Sequence, residues 1–147
     1  MGRTLGLDVG TKTIGIACSD ATGMLASPVR TLARRSVVVD VEALAAVATE
    51  RGVERLVVGL PYELDGSEGR SARLARQVGV ALGARTGLPV VWVDERYSSV
   101  DATRQLVAAG LSRQRRKQVV DQQAAVVILQ SWLDHPELAE SGPGEGT

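Results

Sequence analysis

The chain has no phenylalanine, one cysteine and one histidine in 147 residues, and only 3% of it is aromatic. Cys18 alone cannot close an intramolecular disulfide. The shortage of His and Cys excludes a zinc centre built from them. His135 stands beside the C-terminal tail and reads as solvent-facing, which leaves no histidine for a Ser-His-Asp triad. No run approaches the roughly 18 apolar residues of a membrane span, and the N-terminus lacks the basic-then-apolar pattern of a secretory leader. The expectation is a cytoplasmic protein with no membrane partner. An excess of one charge is missing too: 17 Lys and Arg balance 17 Asp and Glu. No global basic field announces a nucleic-acid partner, although Arg113, Arg115, Arg116 and Lys117 form a local cluster.

The apolar residues are chiefly Ala, Val and Leu. An aliphatic core of this kind suits a sheet covered by Ala-rich helices. A chain of this length fits one domain and buries roughly 70% of its unfolded surface.

Arg3 to Gly10 reads as a short strand ended by glycine, and Thr13 to Ser19 as a second. Only the residues around Gly10, Thr11 and Lys12 separate them, which predicts an antiparallel hairpin. Met24 to Val29 reads as a third strand, placed near an edge by Pro28. Asp40 to Arg51 fits a helix with Val41, Leu44, Ala45 and Ala48 on one face and Gly52 as its stop. Arg55 to Leu60 is a continuous apolar run, as in a strand buried on both faces. Pro61 to Gly69 is a polar loop. Ser71 to Thr86 is a second amphipathic helix, with Leu74, Val78, Ala81 and Leu82 inward. Pro89 to Val93 is a fifth strand ending at Asp94-Glu95. A third helix is expected from Ser98 or Ser99 to Gly110, then the basic segment, then a last helix from about Val119 to Leu133. Residues 136–147, rich in Gly, Pro, Glu and Ser, read as a flexible tail on a domain spanning 1–135. The order is β-β-β-α-β-α-β-α-α. It makes an α/β fold with a mixed five-stranded sheet, a three-strand meander plus parallel crossovers, and helices on both faces.

Within the first strand, Gly6, Asp8 and Gly10 share one face. An isolated buried carboxylate costs several kcal/mol unless it is paired or bound to a cation. The small neighbours of Asp8 suggest room for a metal ion or a phosphate backbone; the plainer reading is a turn cap near Thr11. Asp94 and Glu95 close the fifth strand, beyond whose carboxyl end ligands gather in parallel sheets. Adjacent strand residues point to opposite faces, so one of the two aims at a given site and the other is free to pair with Arg96. Asp121 shares a helical stripe with Ala124, Ala125, Ile128 and Trp132. The spacing places it in the first turn of the last helix, where the macrodipole favours an acid, and on the side facing the sheet. Converging carboxylates repel one another, and a hard divalent cation such as Mg²⁺ or Mn²⁺ relieves that repulsion. Two such ions can cleave a phosphodiester. Lys12, Arg96 and the cluster Arg113, Arg115, Arg116 and Lys117 are candidate phosphate contacts. Tyr62 could stack on a base, and Asp65 either assists the site or forms a turn with Gly66.

The segments LGLDVGTKTIGIACSD, VVGLPYELDGSEG, VVWVDERYSSVDA and KQVVDQQAAVVILQSWL resemble, in order, the motifs of the YqgF/RuvX family. The resemblance runs from about Leu5 to Leu133. It implies a ribonuclease H-like fold and a metal-dependent nuclease. The family is described either as processing the 5′ end of the pre-16S ribosomal RNA or as resolving Holliday junctions. It implies active-site acids at Asp8, Glu95 and Asp121, choosing Glu95 over Asp94, with Mg²⁺ or Mn²⁺ as cofactor. The partners it implies are structured precursor RNA or branched DNA, with ribosomal particles as a further partner and a monomer or homodimer as the acting form. The basic segment ends in KQ where the family more often carries further lysines.

Two readings from other classes compete. The string DVGTKTIGIA is also similar to the phosphate-binding hairpin of actin-like and sugar-kinase ATPases, but those hold ATP between two such domains and this chain has length for one. A non-catalytic nucleic-acid-binding module would gain nothing by aiming carboxylates at phosphates.

Overall fold

The computed structural model describes residues 2–63, 65–97 and 113–140; of 97, 113–122 and 138 it describes the backbone alone. The expected helix from Ser98 or Ser99 to Gly110 lies outside the described residues. The elements are β1 (Arg3–Val9), β2 (Thr13–Ser19), β3 (Ala26–Ala33), α1 (Val37–Arg51), β4 (Val53–Leu60), α2 (Arg70–Thr86), β5 (Val90–Asp94) and α3 (Arg113–Asp134). Short 3₁₀ turns occupy Glu95–Tyr97 and Pro136–Leu138.

The strands form one sheet in the order β3-β2-β1-β4-β5. β1 and β2 pair antiparallel, with Asp8 opposite Gly15, and the Gly10 amide closes the hairpin on the Thr13 carbonyl at 2.8 Å. β4 runs parallel to β1 and β5 parallel to β4. β3 is an edge strand, as Pro28 required, and the ladder shifts register beside it. It starts at Ala26 instead of Met24 because Asp20 Oδ1 accepts the Met24 and Leu25 amides, at 2.8 and 3.1 Å, and holds both in the turn.

α1 starts earlier than Asp40. Ser36 caps it, its hydroxyl accepting the Val39 amide at 3.2 Å. Val41, Leu44, Ala45 and Ala48 are buried as the spacing predicted, and Gly52 ends the helix in the left-handed region at φ 65°. In α2 the buried stripe is Ala72, Ala75, Val78, Gly79 and Leu82, which leaves Leu74 only half-buried.

Alternation along the strands sorts the core into two layers. Leu5, Leu7, Ile14, Ile16, Leu56 and Val58 pack with α1 and α2 on one face. Ala17, Val57 and Val93 pack under Ala124, Ala125, Ile128 and Leu129 of α3 on the other. The second layer is thin because α3 sits close. A Cβ on Gly6 would come 2.7 Å from Leu129 Cβ and 3.3 Å from the Ala125 carbonyl oxygen.

The chain stays packed on the domain past Pro136, where a tail was expected to begin. Ala139 bridges to Val93, the Glu140 amide donates to the Trp92 carbonyl at 2.7 Å, and Arg76 Nη2 donates to Glu140 Oε1 at 2.7 Å. Residues 141–147 lie outside the described residues. Among the described residues, no helix is long and apolar enough to cross a membrane.

Candidate active site

Two carboxylates converge on the α3 face of the sheet. Asp8 is 6% exposed and shares the face of Gly6, two residues back, which α3 covers. In the parallel ladder Gly6 stands beside Val57 and Leu7 beside Val58. Continuing that register by one residue sets Asp8 beside Gly59. Glu95, 7% exposed, reaches the same place from the end of β5. Its Oε2 lies 2.9 Å from where a Gly59 Cβ would be. Both acids thus sit at the carboxyl ends of parallel strands, β1 in the middle of the sheet and β5 at its edge, with Gly59 of β4 between those strands.

Burial does not distinguish Asp94 from Glu95, since each is 7% exposed. Direction does. Asp94 follows Val93 on the opposite face and holds Arg96: Arg96 Nη2 to Asp94 Oδ2 is 2.6 Å and Nε to Oδ2 is 3.0 Å. The Arg96 backbone amide also donates to Asp94 Oδ1 at 2.9 Å. Asp94 is therefore an ion-pair partner, and Glu95 is the acid beside Gly59. Arg96, expected as a phosphate contact, gives much of its guanidinium to Asp94 and lies 5.0 Å over the Tyr62 ring.

α3 begins at Arg113, so the basic cluster Arg113, Arg115, Arg116 and Lys117 is helical backbone, ahead of the start expected at about Val119. Asp121 is consequently more than two turns into the helix, and the first-turn dipole argument does not apply to it, since that effect fades within a turn. Ala124, Ala125, Ile128 and Trp132, the rest of its stripe, are buried. The side chains of Asp121 and of the four basic residues lie outside the described residues.

Lys12 is exposed on the β1–β2 turn. Tyr62 does not present a free ring. Its hydroxyl donates to Glu140 Oε2 at 2.5 Å and accepts from Arg76 Nη2 at 3.1 Å. Burial first, then the Glu140 carboxylate, push its pKa up from 10.0 to about 12. Asp65 takes the turn role. Its Oδ1 accepts from the Ser67 amide at 2.9 Å and hydroxyl at 2.6 Å, and those bonds hold its carboxyl below the usual range. Cys18 is core, its thiol pushed up by burial, and His135 is exposed with its Nδ1 3.8 Å from Glu137.

Reading the sequence for chemistry missed Gly59 and a buried ion pair, Arg34 with Asp40. It also assigned the glycines flanking Asp8 to ligand clearance. The space at Gly6 belongs to α3, and Gly10 sits in the hairpin turn, a Cβ there coming 3.1 Å from the Thr13 carbonyl oxygen.

The donor set is all oxygen, which suits a hard divalent cation. Among the described residues no group of three or more His, Cys, Asp or Glu could hold a metal ion. Asp8 and Glu95 supply two carboxylates, and a third would have to come from a side chain outside that set.

A mixed sheet of this order, with acids at its parallel strand ends and a helix packed over them, defines a ribonuclease H-like fold. The solved structure "T. thermophilus RuvC in complex with Holliday junction substrate" has this fold. It matches 95% of this chain and 99% of its own with a TM-score of 0.62 at 13% identity. The model of the RuvX family, described as Holliday junction resolvase, matches residues 2–135, and the chain belongs to that family. A protein of Myxococcus xanthus is 47% identical, covering 96% of this chain and 99% of its own. One of Moorella thermoacetica is 50% identical, covering 90% and 94%. Both carry the name "Putative pre-16S rRNA nuclease". By family the chain is a nuclease.

Proposed function

We propose that the chain hydrolyses phosphodiester bonds in a structured precursor of 16S ribosomal RNA, maturing its 5′ end, with Mg²⁺ or Mn²⁺ held by Asp8, Glu95 and Asp121. The observation that carries this reading is a pair of buried carboxylates on one face of the sheet, Glu95 beside Gly59 and Asp8 on the neighbouring strand at the same level by register. Two neighbouring carboxylates repel each other, and a hard divalent cation between them relieves that repulsion. Asp121 fits as the third. Ala125 lies over Gly6; four residues back along a helix is about 6 Å, and two residues on along a strand is about 6.6 Å. In this reading Asp121, one turn before Ala125 on α3, supplies the third carboxylate from the helix that covers Asp8's face of the sheet. The relatives' names support RNA as the polymer.

When bound there, a divalent cation supplies electrostatic stabilisation of the phosphorane charge and makes water a stronger nucleophile at neutral pH. The chain does the rest. Asp8 is fixed by pairing on both sides of β1, and Glu95 by the end of β5 and the gap at Gly59. The α3 layer keeps bulk water from beneath the acids. Lys12 and the basic first turns of α3 counter the charge of the flanking phosphates. Ribosomal particles are the setting such a substrate implies.

The second reading is resolution of four-way DNA junctions, favoured by the family's description. It requires two sites related by a two-fold axis, hence a homodimer. Side-by-side cleavage decides. A pre-16S RNA fragment and a mobile four-way junction are incubated with enzyme and Mg²⁺. Cleavage near the mature 5′ end of the RNA, with the junction intact, supports the first reading. Paired symmetric cuts in the junction with no RNA product overturn it.

A further inference from the structure

We propose that Arg34, held by Asp40, is a positioning residue that fixes the Gly10–Lys12 turn beside Asp8 and so sets where the Lys12 ammonium meets a substrate phosphate. The inference rests on the nuclease reading above. Arg34 lies just past β3, and its guanidinium reaches in two directions at once. Nε donates to Asp40 Oδ2 at 3.0 Å, and Nη1 donates to the Gly10 carbonyl at 3.3 Å. Its backbone amide donates to the Lys12 carbonyl at 2.9 Å. Asp40, in the first turn of α1, accepts a further bond from the Arg35 amide on Oδ1 at 3.0 Å.

The pair is deeply placed, with Arg34 10% and Asp40 1% exposed. A buried ion pair is a poor source of stability, because desolvation offsets most of its attraction, and its best-attested use is to select one arrangement. Here the arrangement selected is that of a turn two residues past Asp8, carrying an exposed lysine. The Gly10 amide closes the turn on the Thr13 carbonyl, and Arg34 ties the turn to α1 through its guanidinium and its own backbone amide. Lysine cannot substitute, since a point charge cannot serve the carboxylate and the Gly10 carbonyl as a planar fork does.

The test uses the full chain with two replacements. Arg34→Lys keeps the charge pair and removes the second arm. The double variant Arg34→Met, Asp40→Leu removes the pair without leaving a buried charge, the substitution that tends to preserve stability. Hydrogen exchange is followed at the Gly10 and Arg34 amides, and binding of a pre-16S RNA fragment is measured with and without Lys12→Ala. Both variants are expected to melt near the native chain and to exchange those two amides about 10-fold faster, the scale of one hydrogen bond. Lys12→Ala is expected to weaken binding about 10-fold in the native chain and less than about 2-fold in either variant, because the lysine is already displaced. Equal losses on Lys12→Ala in all backgrounds, or unchanged exchange at both amides, overturn the proposal. Failure of the nuclease reading looks different. Exchange accelerates as expected, but the native chain neither binds nor cleaves the RNA, which overturns the purpose assigned to the pair.

Discussion

Glu95 Oε2 lies 2.9 Å from the point a Cβ on Gly59 would occupy. The missing side chain of Gly59 is therefore space that the Glu95 carboxylate and the Ile128 side chain use. Gly59→Ala sets the new methyl against Glu95 Oε2 and, at 2.6 Å, against Ile128 Cδ1. Both are far ends of flexible side chains, so they can move. The stability cost is expected at the low end of overpacking, about 1 kcal/mol. The carboxylate moves, and cleavage is expected to fall about 100-fold, since a misplacement on the scale of 1 Å costs that much. Thermal melts beside cleavage rates check this. Equal loss of both would show that Gly59 serves packing only.

Gly6→Ala reverses the balance. Its methyl would stand 2.7 Å from Leu129 Cβ, an atom anchored to the backbone of α3. The helix itself must shift, at about 1–3 kcal/mol. A fall in melting temperature well beyond that of Gly59→Ala is expected.

Tyr62 reports on the docked C-terminal segment. Its pKa is raised to about 12 by burial and by Glu140. A raised folded pKa means the proton favours the folded state. The contribution is fully present below pH 10 and is lost as pH rises through about 12. Ultraviolet titration should show one tyrosine ionising near that value, absent in Tyr62→Phe. In Glu140→Gln the midpoint should fall toward 10 as the carboxylate charge is removed. A Tyr62 midpoint unchanged by Glu140→Gln would mean that burial alone raises it.

Neutralising either described acid separates chemistry from folding. Asp8→Asn and Glu95→Gln are each expected to lower cleavage by about 10²–10³-fold, the scale of one preorganised electrostatic group. Melting temperatures recorded beside the cleavage rates show whether the fold is kept in each variant. Activity retained in Asp8→Asn would remove it from the site.

Much of this arrangement was legible before the structure. The hairpin, the edge position of Pro28, the buried stripe of α1 and the place of Asp8 follow from local spacing, and local spacing decided them. What spacing could not give came from contacts distant in sequence. Gly59 read only as part of a continuous apolar run, and the approach of Ile128 and Glu95 gives it a purpose. Asp40 looked like the start of a helix and turned out to be the buried partner of Arg34. Met24 and Leu25 carry strand-like side chains, but Asp20 holds their amides in a turn. The tail composition of residues past Pro136 hid a docking segment whose anchors, Arg76, Tyr62 and Trp92, are far away in sequence. The choice between Asp94 and Glu95 was open on spacing and came from the family resemblance. In the structure Arg96 pairs with Asp94, and Glu95 lies beside Gly59.

The most direct test of the site is a Mn²⁺ soak of crystals of the native chain, with anomalous difference density recorded at the manganese edge. A peak bridging Asp8 and Glu95 at the Gly59 gap, with Asp121 as a further ligand, is the predicted result. Crystals soaked to saturation that show no peak between Asp8 and Glu95, from protein that cleaves RNA in the same Mn²⁺ buffer, would contradict it.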